Sequence, residues 1–265
     1  MENVYSAPPM QPDARRALFI VASTIAAIGV VLAADSTATL WTQAGLGLGV
    51  AALLGWHLLR ATPDDRRVVL ACVLFSTAVE LFCTQVWGLY RYRFGNLPLY
   101  VPPGHGLLCL ASLALARVTA VMRHRRRVLA LAALVSVSWS AGGLFFARRP
   151  DVEGALFLVI FLPLLLRTTR GLEHATTFAL ASLVELAGTF FDTWEWAPVM
   201  PWLQVPSANP PSAAAGGYCT FTLAALGLAR LAQHFFTRAR SPAQTAGFSG
   251  ATPLKQGPDT EAPLN

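Results

Sequence analysis

Apolar runs of membrane length alternate with short polar stretches along nearly the whole chain. A helix needs about 20 mostly apolar residues to cross a bilayer. Eight runs approach that length: residues 17–34, 44–59, 68–90, 104–122, 128–147, 154–166, 175–196 and 216–236. The second and sixth are short, and no connection has room for a soluble domain. Residues 1–14 are polar and Pro-bearing, and residues 238–265 are rich in Pro, Gly, Ser, Thr and Gln. Both compositions predict disordered tails. Arg15 and Arg16 before the first run, with Ala33-Ala34 after it, give it the look of a signal peptide. The seven runs that follow make it a retained span instead. The expected fold is all-α: a polytopic integral membrane bundle of about eight transmembrane helices.

Composition narrows the class. Of 265 residues, 54% are hydrophobic and 13% charged, against about 25% charged in soluble domains. A soluble enzyme cannot bury that much apolar surface, and a disordered scaffold needs the opposite balance. The net charge of +6 could suggest a nucleic-acid partner. The basic residues instead gather in short loops on one side of the spans, where the bilayer and its anionic lipids are the simpler partner. That side holds 16 of the 20, among them Arg60, Arg66, Arg67, Arg123, Arg125, Arg126, Arg127, Arg167 and Arg170; the other holds Arg91, Arg93, Arg148 and Arg149. Cytoplasmic loops collect Lys and Arg, so both termini are expected in the cytoplasm of a multi-pass cell-membrane protein.

Two stretches resemble each other. Glu80, Leu81 and Thr84 match Glu185, Leu186 and Thr189 at one constant offset. Each series continues through an aromatic cluster and a Pro-bearing loop with a double proline, Pro102-Pro103 or Pro210-Pro211, to a cysteine, Cys109 or Cys219. The order of matches predicts two parallel four-helix repeats, residues 15–127 and 128–237, related by an axis along the membrane normal.

Ionisable groups inside spans are costly, so each is a site candidate. Glu80 and Glu185 fall mid-span. At helical spacing each heads a stripe: Glu80, Cys83 or Thr84, Trp87, Arg91 in one; Glu185, Gly188 or Thr189, Asp192, Glu195 in the other. Both run to the same membrane edge, which also collects Tyr90, Tyr92, Arg93, Trp194, Trp196, Trp202 and His105. Environments that push two titrating groups apart suit one to be acid and the other base. Glu80 and Glu185 are the expected acids, Asp192 and His105 the bases nearer water. Arg91 and Arg93 would hold an anionic head, with Trp87, Tyr90, Tyr92, Trp194, Glu195 and Trp196 lining the substrate. The plainer readings are that the glutamates bond each other or Thr hydroxyls as interhelical glue, and that the aromatics form an interfacial belt. Glu80, Glu185, Asp192 and His105 make a weaker divalent-metal set; no His box, phosphate loop or nucleophile elbow occurs, and no cofactor is expected. Cys72, Cys83, Cys109 and Cys219 read as small core residues.

The run Glu80, Gly88, Tyr90, Tyr92 resembles membrane proteins of carotenoid biosynthesis, which carry a Glu and then a Gly-x-Tyr-x-Tyr run at a helix end. The resemblance covers only this stretch; its spacing differs, and neither His105 nor the double prolines belong to it. It implies an apolar, isoprenoid-like substrate. The leading expectation is an integral membrane enzyme doing acid/base chemistry on a lipid-soluble substrate at an outward-facing site. The rivals are a proton-coupled or small-solute transporter and a non-catalytic subunit of a membrane complex. Substrate, reaction and oligomeric state are not written in the sequence.

Overall fold

The computed structural model describes residues 14–240. The tails expected at residues 1–14 and 238–265 lie outside the described residues, save Ala14 and residues 238–240, which are helical. The chain forms two compact units, residues 1–229 and 230–265. Of the second, residues 230–240 are helical.

The described residues are mostly helical: α1 (Ala14–Asp35), α2 (Leu40–Leu59), α3 (Pro63–Leu81), α4 (Val101–Ala116), α5 (Thr119–Arg123), α6 (Arg125–Phe145), α7 (Val152–Arg167), α8 (Gly171–Phe190) and α9 (Ala215–Arg240). Four are long and apolar enough to cross a membrane: α1, α2, α6, and α3 with the π-helical turn Phe82–Trp87 that extends it. Val101–Ala116 and Ala215–Leu228 are shorter apolar helices. Helix starts follow local chemistry. Thr39 caps α2, and Thr62 caps α3 with Pro63 at its first turn and Asp64 and Asp65 beside the helix dipole.

The surface is inverted relative to a soluble protein. Leu74, Phe190, Leu48 and Val159 are each at least 70% exposed, whereas Asp35, Gln43, Glu80, Glu185 and His174 are buried. An apolar exterior around polar interior groups is what a hydrocarbon solvent selects. The centre is α4, buried at every position from His105 to Ala114 and packed by α1, α2, α3 and α8.

The two mid-chain spans end earlier than their hydropathy suggests. The third run continues as helix only to Trp87, because Gly88 turns left-handed at φ 72° and stops it. The seventh stops at Phe190, and Asp192 is left-handed at φ 53°. The residues beyond form strands: β1 (Tyr90–Tyr92) and β2 (Trp194–Trp196), antiparallel, with Tyr90 opposite Trp196, Arg91 opposite Glu195 and Tyr92 opposite Trp194. Alternating aromatic residues favour a pleated strand over a helix. The helical stripes expected from Glu80 to Arg91 and from Glu185 to Glu195 are therefore broken: strand geometry sends Arg91 and Glu195 to an exposed face and Tyr92, Trp194 and Trp196 inward. A second hairpin pairs β3 (Val199–Met200) with β4 (Val205–Pro206). The fourth run also breaks, at Arg117–Val118 between α4 and α5.

Two buried acids hold the loops of this hairpin end. Asp35 accepts from the Gln43 amide at 2.9 Å and the Tyr100 hydroxyl at 3.0 Å. Asp151 accepts from the backbone N–H groups of Gly154, Ala208 and Ser212 at 2.7–3.1 Å. The short segment Arg148–Asp151 thus carries a fully buried anchor. Replacing Asp35 by Ala strands two buried donors at about 1–3 kcal/mol each. Asp35→Ala should lower the thermal midpoint of the detergent-solubilised protein by several degrees; an unchanged midpoint would show that Asp35 anchors nothing.

Candidate functional site

Glu80 lies near the end of α3, before its π-helical extension, and Glu185 lies five residues before the end of α8. Both are 3% exposed. The next turn supplies a matching local contact: the Thr84 hydroxyl donates to the Glu80 carbonyl and the Thr189 hydroxyl to the Glu185 carbonyl, both at 2.8 Å. The threonines bond backbone, not the carboxylates, and so leave both carboxylates free to face inward.

Each carboxylate then meets three partners. Glu80 Oε2 accepts from the hydroxyls of Tyr90 at 2.7 Å and Tyr92 at 2.8 Å, and Glu80 Oε1 lies 2.8 Å from His105 Nε2. Glu185 Oε2 accepts from the indole N–H groups of Trp194 at 3.1 Å and Trp196 at 3.0 Å, and Oε1 accepts from the Tyr218 hydroxyl at 2.7 Å. The two sets differ in chemistry. Indole N–H groups only donate, so the Glu185 oxygen they bind is fixed as an acceptor. Imidazole can give or take a proton, so the Glu80–His105 contact is one across which a proton can move. Burial, and then the nearby Glu80 charge, push the Tyr90 and Tyr92 phenols well above the usual tyrosine range. Both therefore remain donors.

The two sets face one chamber of about 90 Å³, lined by Glu80, Glu185, His105, Tyr90, Tyr92, Tyr100, Trp194 and Tyr218. Its other walls are mainly apolar, from α1, α2, α4 and Val184 of α8. His105 is oriented by stacking on Tyr218, with ring centres 5.2 Å apart, and by the edge of Phe221. Close approach is built in at Gly188, where a Cβ would fall 1.9 Å from the Trp194 ring.

The structure thus gathers Glu80, Glu185, His105, Tyr90, Tyr92, Trp194 and Trp196 of the expected set, and leaves five residues out. Asp192 and Glu195 are exposed and line no part of the chamber, because the helix has ended before them. Arg91 is exposed on β1. Arg93 closes the C-terminus of α1, donating to the carbonyls of Asp35 and Ala38, so it is spent on a helix end rather than an anionic head. Trp87 latches the second hairpin, donating to the Pro201 carbonyl at 3.0 Å and stacking on Trp202. With Asp192 apart, the tentative metal set is not assembled; among the described residues no three His, Cys, Asp or Glu side chains gather for an ion. Tyr100 and Tyr218 line the chamber without having stood out in the sequence. Tyr218 had one signal: it adjoins Cys219, which already matched Cys109. The four cysteines are buried and unbridged.

Gly188→Ala should displace Trp194 and remove a donor from Glu185. The expected loss is about 1–3 kcal/mol, read as a lower thermal midpoint. Gly29→Ala, where a Cβ meets nothing within 4 Å, should leave the midpoint in place. Equal behaviour of the two variants would contradict the packing described.

In comparison with known proteins, the chain matches no family model, no curated protein and no solved structure.

Proposed function

We propose that this protein is an integral membrane enzyme that moves protons on a lipid-soluble, isoprenoid-like substrate. The observation that carries the reading is the buried Glu80–His105 pair, 2.8 Å apart, facing a largely apolar chamber. An isoprenoid chain offers a proton donor chiefly its carbon–carbon double bonds. A proton passing from the pair to such a bond uses the π electrons to form a C–H bond and leaves a carbocation. Glu185, fixed as an acceptor beside it, supplies negative charge where the positive charge develops. Returning a proton from a neighbouring carbon to the pair restores a double bond and closes the cycle, with no external oxidant or reductant.

The carrier reading needs a water path to both faces of the membrane. The buried course of α4 and the apolar walls of Leu107, Leu108 and Val50 below the carboxylates favour the enzyme instead. The finer architecture belongs to the same reading: about eight spans, two parallel four-helix repeats, both termini in the cytoplasm and the chamber towards the outer face. The matched Thr84 and Thr189 contacts, the strand pair with Arg91 and Glu195 at its centre, and the two buried anchors Asp35 and Asp151 support the duplication. The arginine-rich connections support the orientation.

Glu80→Gln and His105→Phe should each abolish whatever change the wild-type chain makes in the apolar lipid extract of expressing cells, while Asp192→Asn leaves it intact. A wild-type lipid profile from stably inserted Glu80→Gln would sink the proposal.

A further inference from the structure

We propose that the gap between α1 and α2 is a sideways entrance from the lipid phase, through which one linear hydrocarbon chain reaches the carboxylate chamber. This rests on the substrate class proposed above and adds the route and the shape of the substrate.

Helices α1 and α2 are clasped at both ends. At the hairpin end the Gln43 amide donates to Asp35 at 2.9 Å. Towards the other end the Ser23 hydroxyl lies 2.9 Å from His57 Nε2, and Arg16 donates to the Arg60 carbonyl. Between these clasps lies an open groove walled by Ala26 and Val30 of α1 and Gly45, Leu46, Gly49 and Leu53 of α2. Its polar lining residues are Ser23 and Thr42, which lie towards opposite ends of the helix pair. Ala27, Val31 and Val50 line this groove and the carboxylate chamber alike, so the two cavities adjoin across these three apolar side chains.

The occupant follows from the lining. At this depth a bilayer presents only hydrocarbon. The groove carries no charge and no cluster of donors that could receive a headgroup; in the chamber the ionisable groups are those around the carboxylates, and Thr24 on α1 spends its hydroxyl on the Ile20 carbonyl. A chain that is apolar along its length and reacts at one end fits that order; a two-chain lipid with a charged head does not.

Glycine geometry separates the groove from the fold. A Cβ at Gly45 or Gly49 meets nothing within 4 Å, so a larger side chain there projects into the groove. A Cβ at Gly47, also on α2, would fall 2.5 Å from Leu99 Cβ, so that glycine serves packing. Gly49→Phe and Gly45→Leu therefore block the entrance without disturbing α2, and replacing glycine favours the helix.

The test uses the full chain in lipid nanodiscs and an all-trans polyprenyl hydrocarbon carrying a terminal aryl diazirine. After photolysis, labelled peptides are mapped by mass spectrometry. The wild type and Glu80→Gln should be labelled on residues 26–31, on 45–50 and at the chamber. Gly49→Phe and Gly45→Leu should lose chamber labelling about tenfold or more, with unchanged thermal midpoints. Wild-type chamber labelling in both blocked variants would overturn the entrance. So would wild-type labelling of α1 and α2 no greater than that of the exposed face around Val159 on α7. Because Glu80→Gln is scored by its lipid product and the blocked variants by labelling, the entrance and the chemistry fail separately.

Discussion

A carboxylate set among apolar helices must find every hydrogen bond inside the protein. Neither Glu80 nor Glu185 can turn to water, and an unpaired carboxylate in low dielectric is among the costliest groups a fold can carry. Much of the hairpin end follows from meeting that demand. Phenol and indole donors have to come back over the helix that bears the glutamate. A continuous helix could not return them, since residues 90 and 194 would lie more than two turns along the axis from their carboxylates. The chain therefore stops its helix at Gly88 or after Phe190, turns, and lays down a short aromatic strand. The π-helical turn Phe82–Trp87 belongs to the same solution, shifting the last turn after Glu80 out of α-helical register.

Two such strands leave unpaired backbone groups, which in an apolar setting are as costly as a bare charge. Their answer is each other. The β1–β2 ladder pairs Tyr90 with Trp196 and Tyr92 with Trp194, so each strand that serves one glutamate satisfies the backbone of the strand serving the other. The loops that follow must then re-enter the bundle at fixed positions; Asp35 ties one to the end of α1 and Asp151 ties the other to the start of α7. The two glutamates, the strand pair and the two aspartates form one chain of mutual dependence.

Hydropathy made the membrane class and the helix locations legible, because apolar length is all those features require. The offset between Glu80 and Glu185 made the centre of the site legible, because buried charge is rare enough to stand out. The helical stripe failed beyond Trp87 and Phe190, since hydropathy does not distinguish an aromatic helix end from an aromatic strand. Arg93 differs from its expected role for a related reason: a cation near a mouth looks like a ligand-binding group, yet the free carbonyls at the end of α1 are the nearer claimant. Asp35 and Asp151 escaped notice because their partners lie across 65 and 61 residues of sequence and include backbone N–H groups that no residue pattern announces.

The two halves of the site are alike in frame and unlike in chemistry, and the chamber follows the unlikeness. Glu80 is held by two phenols and an imidazole, Glu185 by two indoles and a phenol. Replacing imidazole by indole trades a group that can exchange a proton for one that only donates. Beyond the two carboxylate sets, the chamber walls come from α1, α2 and α4, on the Glu80 side, and from Val184 of α8, whereas α6 and α7 contribute none. Phe157 of α7 instead packs against Trp196, behind the Glu185 donors. Access and proton mobility thus coincide on one side of the strand pair, and rigidity and fixed charge on the other. A symmetric pair would offer either two mobile protons or two fixed charges. This division gives one of each, the combination that the proposed protonation of an alkene would use.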